Sequence, residues 1–267
     1  MAAGRVRVRR EGAVRRLVLD DPGRLNALSD AMLADLAAAL DGVAADAGAR
    51  AVVISGAGRA FCAGHDLKEM SAARQAPDGG AAAFADLFGR CSAVMRRIRD
   101  MPQPVIAQVH GVAAAAGCQL VASCDMALAA DTARFGVNGV NIGLFCSTPM
   151  VPLSRNLPRK HAFEMLVTGA FLDAGRARDL GLVNHVVPET ALEAAASDLA
   201  DTVARKLQVA VRIGKRLFYD QLERSEEEAY RLTSAAMVAN MMEPDTAEGI
   251  AAFLEKRPPG WVREDED

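Results

Sequence analysis

Two periods of apolar residues alternate along this chain. From Val6 to Leu19 the period is two: Val6 and Val8, a Glu11-Gly12 turn, then Val14 and Leu17–Leu19. That pattern predicts a hairpin with Arg5, Arg7, Arg9, Arg10, Arg15 and Arg16 on its wet face. Beyond the turn Asp20-Asp21-Pro22-Gly23, Ser29 is placed to cap a helix with Met32, Leu33, Leu36 and Leu40 on one face. Ala51–Ser55 is short and β-branched, which predicts a buried strand. Gly56, Gly58 and Gly64 then break the backbone, and Asp66 with Glu69 three residues on predicts a capping box opening a helix. Backbone N–H groups face outward at such a place, and small neighbours let a ligand approach them.

Ser71–Gly80 is polar and glycine-rich and reads as a mobile loop. Helical spacing returns over Ala81–Arg99, and after Pro102 and Pro104 the scheme recurs. Val105–Val109 predicts a strand, His110-Gly111 breaks it, and Val112–Gly117 is a run of small residues. A helix follows through Cys118-Gln119-Leu120, then a strand over Met126–Ala130. Helices over His161–Thr168 and Ala174–Leu180 precede an apolar run, Leu182–Val187. From Thr190 the pattern is helical: Leu192–Ala204, Val209–Leu222, Glu226–Met242 and Asp245–Glu255. The fold class is therefore α/β with a helical C-terminal third. A composition shift at Pro188–Ala191 divides a core, 1–190, from a helical region, 191–267.

Composition narrows the function classes. With 267 residues, 51% apolar but only 4% aromatic, the core is one of Ala, Val and Leu. A net charge of −3 argues against a nucleic-acid partner. No apolar run approaches the ~18 residues of a membrane span. Five cysteines without framework spacing read as reduced thiols in a cytoplasmic protein, and four scattered histidines make no metal site. There is no G-x-x-x-x-G-K-[ST], G-x-S-x-G or H-E-x-x-H. Gly56-Ala57-Gly58 imitates a dinucleotide fingerprint, but Phe61 stands at its third glycine position.

What remains is two strand-to-helix turns of small residues, near His65 and near Ala116. Were they to converge, each would contribute one N–H to an oxyanion hole, a donor being worth roughly 2.7–4 kcal/mol to an enolate-like transition state. Close packing alone is the other reading of two such turns. The segments AFCAGHDLKEM, GRLNALS, HGVAAAAGCQLVASCDMALAA, GLVNHVVP and EGIAAFLEKRPPGW resemble the enoyl-CoA hydratase/isomerase (crotonase) superfamily over nearly the whole length. GCQLVASCD and GVNIGLFCSTP narrow the resemblance to one group within it.

The resemblance implies a crotonase-like spiral of strand-strand-helix repeats with a C-terminal helical trimerisation region, forming a homotrimer or a dimer of trimers. It implies an acyl-CoA substrate, coenzyme A entering as part of that substrate with no cofactor bound permanently. The thioester carbonyl would sit between the amides of His65 and Ala116. Arg24, Ala27, Ala63, Asp66 and Leu67 match the CoA path, Lys68 can add positive charge for its phosphates, and Phe253 and Lys256 match a pair that reaches a neighbouring subunit's CoA.

The same resemblance exposes two departures. Hydratases of the family use two glutamates, and the matching positions here are Gln119 and Gly139. A glutamine orients water but exchanges no proton near neutral pH, and glycine has no side chain. Three readings follow: an enzyme relying on oxyanion stabilisation, with a decarboxylase as the natural example; an enzyme whose proton carrier is His65, Asn138, Asn141, Cys146 or a residue of Ser71–Gly80; or an acyl-CoA-binding module without turnover.

Overall fold

The computed structural model describes residues 4–262. The chain opens with the hairpin of β1 (Val6–Glu11) and β2 (Val14–Leu19), turning at Gly12 with φ +55°. A helix α1 (Asp30–Ala44) follows, its first turn capped by Ser29 accepting from the Met32 amide. Next come β3 (Ala51–Gly56), α2 (Leu67–Ala73) and α3 (Ala81–Asp100). The middle of the chain runs β4 (Val105–Val109), β5 (Val112–Ala114), α4 (Ala116–Ser123), β6 (Met126–Ala130) and β7 (Arg134–Gly136). After a single 3-10 turn over Asn138–Ile142 come α5 (Ser147–Asn156), α6 (Arg159–Thr168), β8 (Phe171–Asp173), α7 (Ala174–Asp179) and β9 (His185–Val187). The C-terminal helices are α8 (Leu192–Ala204), α9 (Gln208–Gln221), α10 (Glu226–Met241) and α11 (Pro244–Glu255).

Six strands form one sheet in the order β1-β2-β3-β4-β6-β9, and β5-β7-β8 form a second. From β2 to β9 every pairing in the large sheet is parallel. Parallel strands are covered on both faces, which is why β3 and β4 read as continuous apolar runs rather than alternations. Twice the order is strand, strand, helix: β4, β5, α4 and β6, β7, α5. Each time the first strand joins the large sheet and the second the small one. The two helix N-termini that follow, with the Asp66 turn after β3, gather on one side of the core.

Several local expectations change in the folded chain. Asp66 caps α2 by accepting from Lys68 and Glu69, but Glu69 does not reach back to it. Its carboxylate instead accepts from the Asp30 amide at 2.9 Å, because α1 starts within reach and offers an orphan N–H. Ser71–Ala73 belongs to α2, so the loop expected over Ser71–Gly80 is shortened to Arg74–Gly80, where Asp78 accepts from Gly80 and Ala82. The run Leu182–Val187 is strand only over His185–Val187.

The helix α8 lies just past the expected boundary at residue 190, yet it is part of the core. Leu192, Ala196, Ala200 and Ala204 form a buried stripe at four-residue spacing, packed on β2, β3, β4 and β6. The helices α9 to α11 differ: among their residues only Lys215 and Ala252 are buried. Lys215 pins this layer to the core. Its Nζ donates to Ile98 O and Gln103 O at 2.8 Å and to Asp125 at 2.7 Å, using all three protons of the ammonium.

Candidate active site

The turn after β3 and the turn after β5 meet. Cys62 and Ala113 pair as an isolated parallel bridge, with Cys62 N–H donating to Val112 O and Ala114 N–H to Cys62 O. Two residues after Cys62, Gly64 sits at φ +93°, and a Cβ there would lie 3.0 Å from Ala114 O and Ala115 Cβ and 3.3 Å from Ala116 N. Only glycine permits that approach together with that backbone angle. On its other side the turn is held by Leu28 N–H donating to Gly64 O at 2.7 Å.

Ala115, the N-cap of α4, is held at φ 47° and ψ −115°, where a side chain is strained. Strain of this kind costs of order 1–3 kcal/mol and persists where surrounding contacts over-determine it. Here Ala115 N–H is fixed to Gly136 O at 2.8 Å, tying the turn to β7. The amides of His65 and Ala116 have no acceptor among the described residues. The first belongs to a residue whose neighbours make the bridge to Leu28, the second to the opening residue of α4, where helical geometry supplies no partner.

Both residues line a cavity of about 460 Å³. Its other walls come from Leu67 and Met70 of α2, Phe88 of α3, Val112 and Ala114 of β5, and Phe171 of β8. The segment Asn138–Pro149 closes it with Ile142, Leu144, Phe145 and Cys146. No Asp, Glu, Lys, Arg or Tyr is among these lining residues; His65 and Cys146 are the only titratable ones. Burial, chiefly, lowers the His65 pKa and keeps the imidazole neutral. Its Nδ1 faces Leu28 O at 3.4 Å, its Nε2 is buried without a partner, and its ring packs edge-on against Phe88.

Of the two positions matched to glutamates, only Gly139 lines the cavity. A Cβ at Gly139 would collide with Leu144 O and lie 2.8 Å from Cys146 Sγ, so the space for a side chain there is filled. Gln119 is buried on α4, 3% exposed, with its Oε1 unpartnered. Cys62 and Cys118 are fully buried, their thiols pushed up to about 12 by burial, and act as small filler.

The residues matched to the CoA path form a cluster at one edge of the site. Ala63 N–H donates to Leu25 O, Ala27 is buried, and Leu67 and Lys68 are exposed at the start of α2. Arg24 is already balanced: it pairs with Asp66 at 3.0 Å, Glu69 at 3.5 Å and Asp21 at 3.7 Å. Phe253 and Lys256 lie on and just after α11, exposed and outside the cavity. Sequence periodicity missed β7, β8 and α5, and it read β5, Val112–Ala114, only as part of a run of small residues. The first two have three residues each, and Pro149 and Pro152 inside α5 read as helix breakers. Yet these elements carry Phe171 and the Phe145–Pro149 wall.

Over residues 9–264 the chain matches the family described as Enoyl-CoA hydratase/isomerase, and it belongs to that family, with its crotonase-like α/β fold. Its relatives include the enoyl-CoA hydratase domain-containing protein 3 of rat, 46% identical over 95% of this chain and 83% of the rat protein. The human protein of that name is 47% identical over 94% of this chain and 81% of its own length. An enoyl-CoA hydratase structure from Mycobacterium smegmatis superposes with a TM-score of 0.93, at 50% identity over 97% of this chain and 99% of that one. The expectation of a cytoplasmic protein is overturned: the rat, mouse and human relatives are all named as mitochondrial. Free cysteines report a reducing environment, and that does not distinguish the two compartments.

Proposed function

We propose that this chain binds an acyl-CoA thioester with its carbonyl oxygen between the amides of His65 and Ala116, and stabilises the enolate form of the bound acyl group. The observation that carries the reading is the meeting of two acceptor-free amides across Gly64 at the wall of an apolar cavity. Two amide donors in a water-poor site favour an oxyanion over a neutral carbonyl, since they need no reorganisation as charge develops. Coenzyme A enters with the substrate. Arg24, Ala27, Ala63, Asp66, Leu67 and Lys68 border its path in the same subunit.

Ordinary hydration finds little support. It needs a base for water and an acid for the α-carbon, whereas no carboxylate among the described residues lines the cavity and Gly139 has no room for one. The same observation favours decarboxylation as a second reading, because departing CO2 leaves the enolate without a base. Calorimetry is expected to show binding of butyryl- or crotonyl-CoA. Incubation with a panel of acyl-CoAs and mass-spectrometric detection then separates hydrated product, lost CO2 and no turnover. Absence of affinity for every thioester overturns the binding reading; efficient hydration of crotonyl-CoA overturns that of Gln119 and Gly139.

The exposed apolar residues of α9 to α11, among them Phe218, Tyr230, Met237, Val238 and Phe253, support assembly through this layer. We infer a homotrimer or a dimer of trimers, in which Phe253 and Lys256 reach a neighbour's CoA. Light scattering on the purified protein is expected to give three or six times the chain mass of 28.2 kDa. A monomer at micromolar concentration would exclude it.

A further inference from the structure

We propose that Cys146 is the proton carrier of this site, its thiol standing in the space that a side chain at position 139 would enter. The inference rests on the enolate reading above and adds the group that quenches the enolate. Three placements carry it. Cys146 Sγ lies 2.8 Å from where a Cβ on Gly139 would be, so thiol and missing side chain occupy one volume. Cys146 lines the cavity beside Gly139, and apart from His65 no other lining residue among the described ones can exchange a proton with an enolate near neutral pH. Cys146 is also the N-cap of α5, a ten-residue helix, and no side-chain bond caps that end, so its thiol is not engaged by the α5 amides.

The placement suits both ends of the transfer. Burial raises the pKa of the Cys146 thiol and keeps it protonated, while the α5 N-terminus favours the thiolate once the proton has left. The step balances without a further reagent. The enolate electron pair forms a C–H bond at the α-carbon, the S–H bond breaks, the thioester carbonyl is restored, and water re-protonates the thiolate. In reverse, the thiolate takes the α-proton and the pair moves to the carbonyl oxygen.

The imidazole of His65 is the competing carrier. It packs against Phe88 with Nδ1 turned toward Leu28 O, so the ring belongs to the turn that presents its amide. Gln119 offers a carboxamide with no partner for Oε1, able to orient a polar group but not to carry a proton.

The experiment is exchange of the α-protons of butyryl-CoA in D2O, followed by mass spectrometry, with affinity measured by calorimetry in parallel. Cys146→Ala is expected to keep the wild-type affinity within about twofold and to lose roughly 10²–10⁴-fold in exchange, the usual contribution of a placed acid or base. Cys146→Ser keeps size and the Gly139 contact and is expected to lose exchange to a similar degree, which separates proton carriage from packing. Exchange unchanged in both variants overturns the proposal, as does loss in His65→Phe with Cys146→Ala unaffected. If the wild type binds no butyryl-CoA, the enolate reading itself has failed. Binding and exchange that survive loss of the thiol reject only the assignment of Cys146.

Discussion

Gly117→Ala is expected to destabilise the protein by about 3 kcal/mol, at the upper end of the usual cost of overpacking. Gly117 is the second residue of α4, and a Cβ there would enter Cys62 O and approach Cys62 C at 2.8 Å and Cys62 Cβ at 2.9 Å. Cys62 O has nowhere to withdraw. It accepts from Ala114 N–H at 2.9 Å, and Cys62 N–H is committed to Val112 O. Relief would have to break the bridge that joins the two turns. For a chain of this size the loss corresponds to a fall in Tm of roughly 6–12 °C. It should be read at fixed protein concentration without acyl-CoA, since ligand and subunit binding shift Tm by mass action. A fall of under about 2 °C would show that the α4 turn can slide, and with it the placement of Ala116.

Gly64→Ala acts on the same junction from the other side and is expected to harm function more than folding. The added Cβ would stand 3.0 Å from Ala114 O and Ala115 Cβ and 3.3 Å from Ala116 N, contacts that give by a few tenths of an ångström. The left-handed φ of +93° adds backbone strain. Together these cost about 1–3 kcal/mol of stability. They also move the His65 and Ala116 amides relative to each other. Losing one oxyanion donor costs about 10²–10³-fold in turnover. Turnover of whichever acyl-CoA proves active, or butyryl-CoA exchange, is expected to fall by that factor in a protein that still melts cooperatively. A folded variant with wild-type rates would mean that the two amides do not share one oxygen.

The position matched to a second glutamate is closed by its own neighbours. Leu144 O and Cys146 Sγ pack onto the Gly139 Cα, so restoring a carboxylate there requires the wall from Leu144 to Cys146 to move. No residue identity at position 139 reveals this packing.

Much of the architecture was legible in the chain's own pattern. Ala51–Gly56, Val105–Val109 and Met126–Ala130 read as buried strands because parallel strands covered on both faces need unbroken small apolar side chains. Ser29 and Asp66 announced helix starts because their oxygens cap amides two or three residues on, a purely local interaction. Glycine at positions 64 and 117 marked close approaches without saying to what.

Everything that joins distant segments was decided by the tertiary structure. That Gly64 lies against Ala116 follows from β3 and β4 being neighbours in one sheet and from the Cys62–Ala113 bridge beside them. Glu69 left its expected partner for Asp30, and Arg24 spread its charge over three carboxylates, because helix ends remote in sequence arrive at one corner. The cavity wall built on α5 stayed hidden because two prolines obscure a helix held in place by packing on α4. By itself the sequence determined the long buried strands, the amphipathic helices and the tight turns, since those are settled by local sterics and hydrogen bonding; the three-residue strands and α5 were decided by packing. The meeting of the turns that carry the His65 and Ala116 amides on one cavity depends on contacts between residues tens of positions apart, and only the folded chain brings them together.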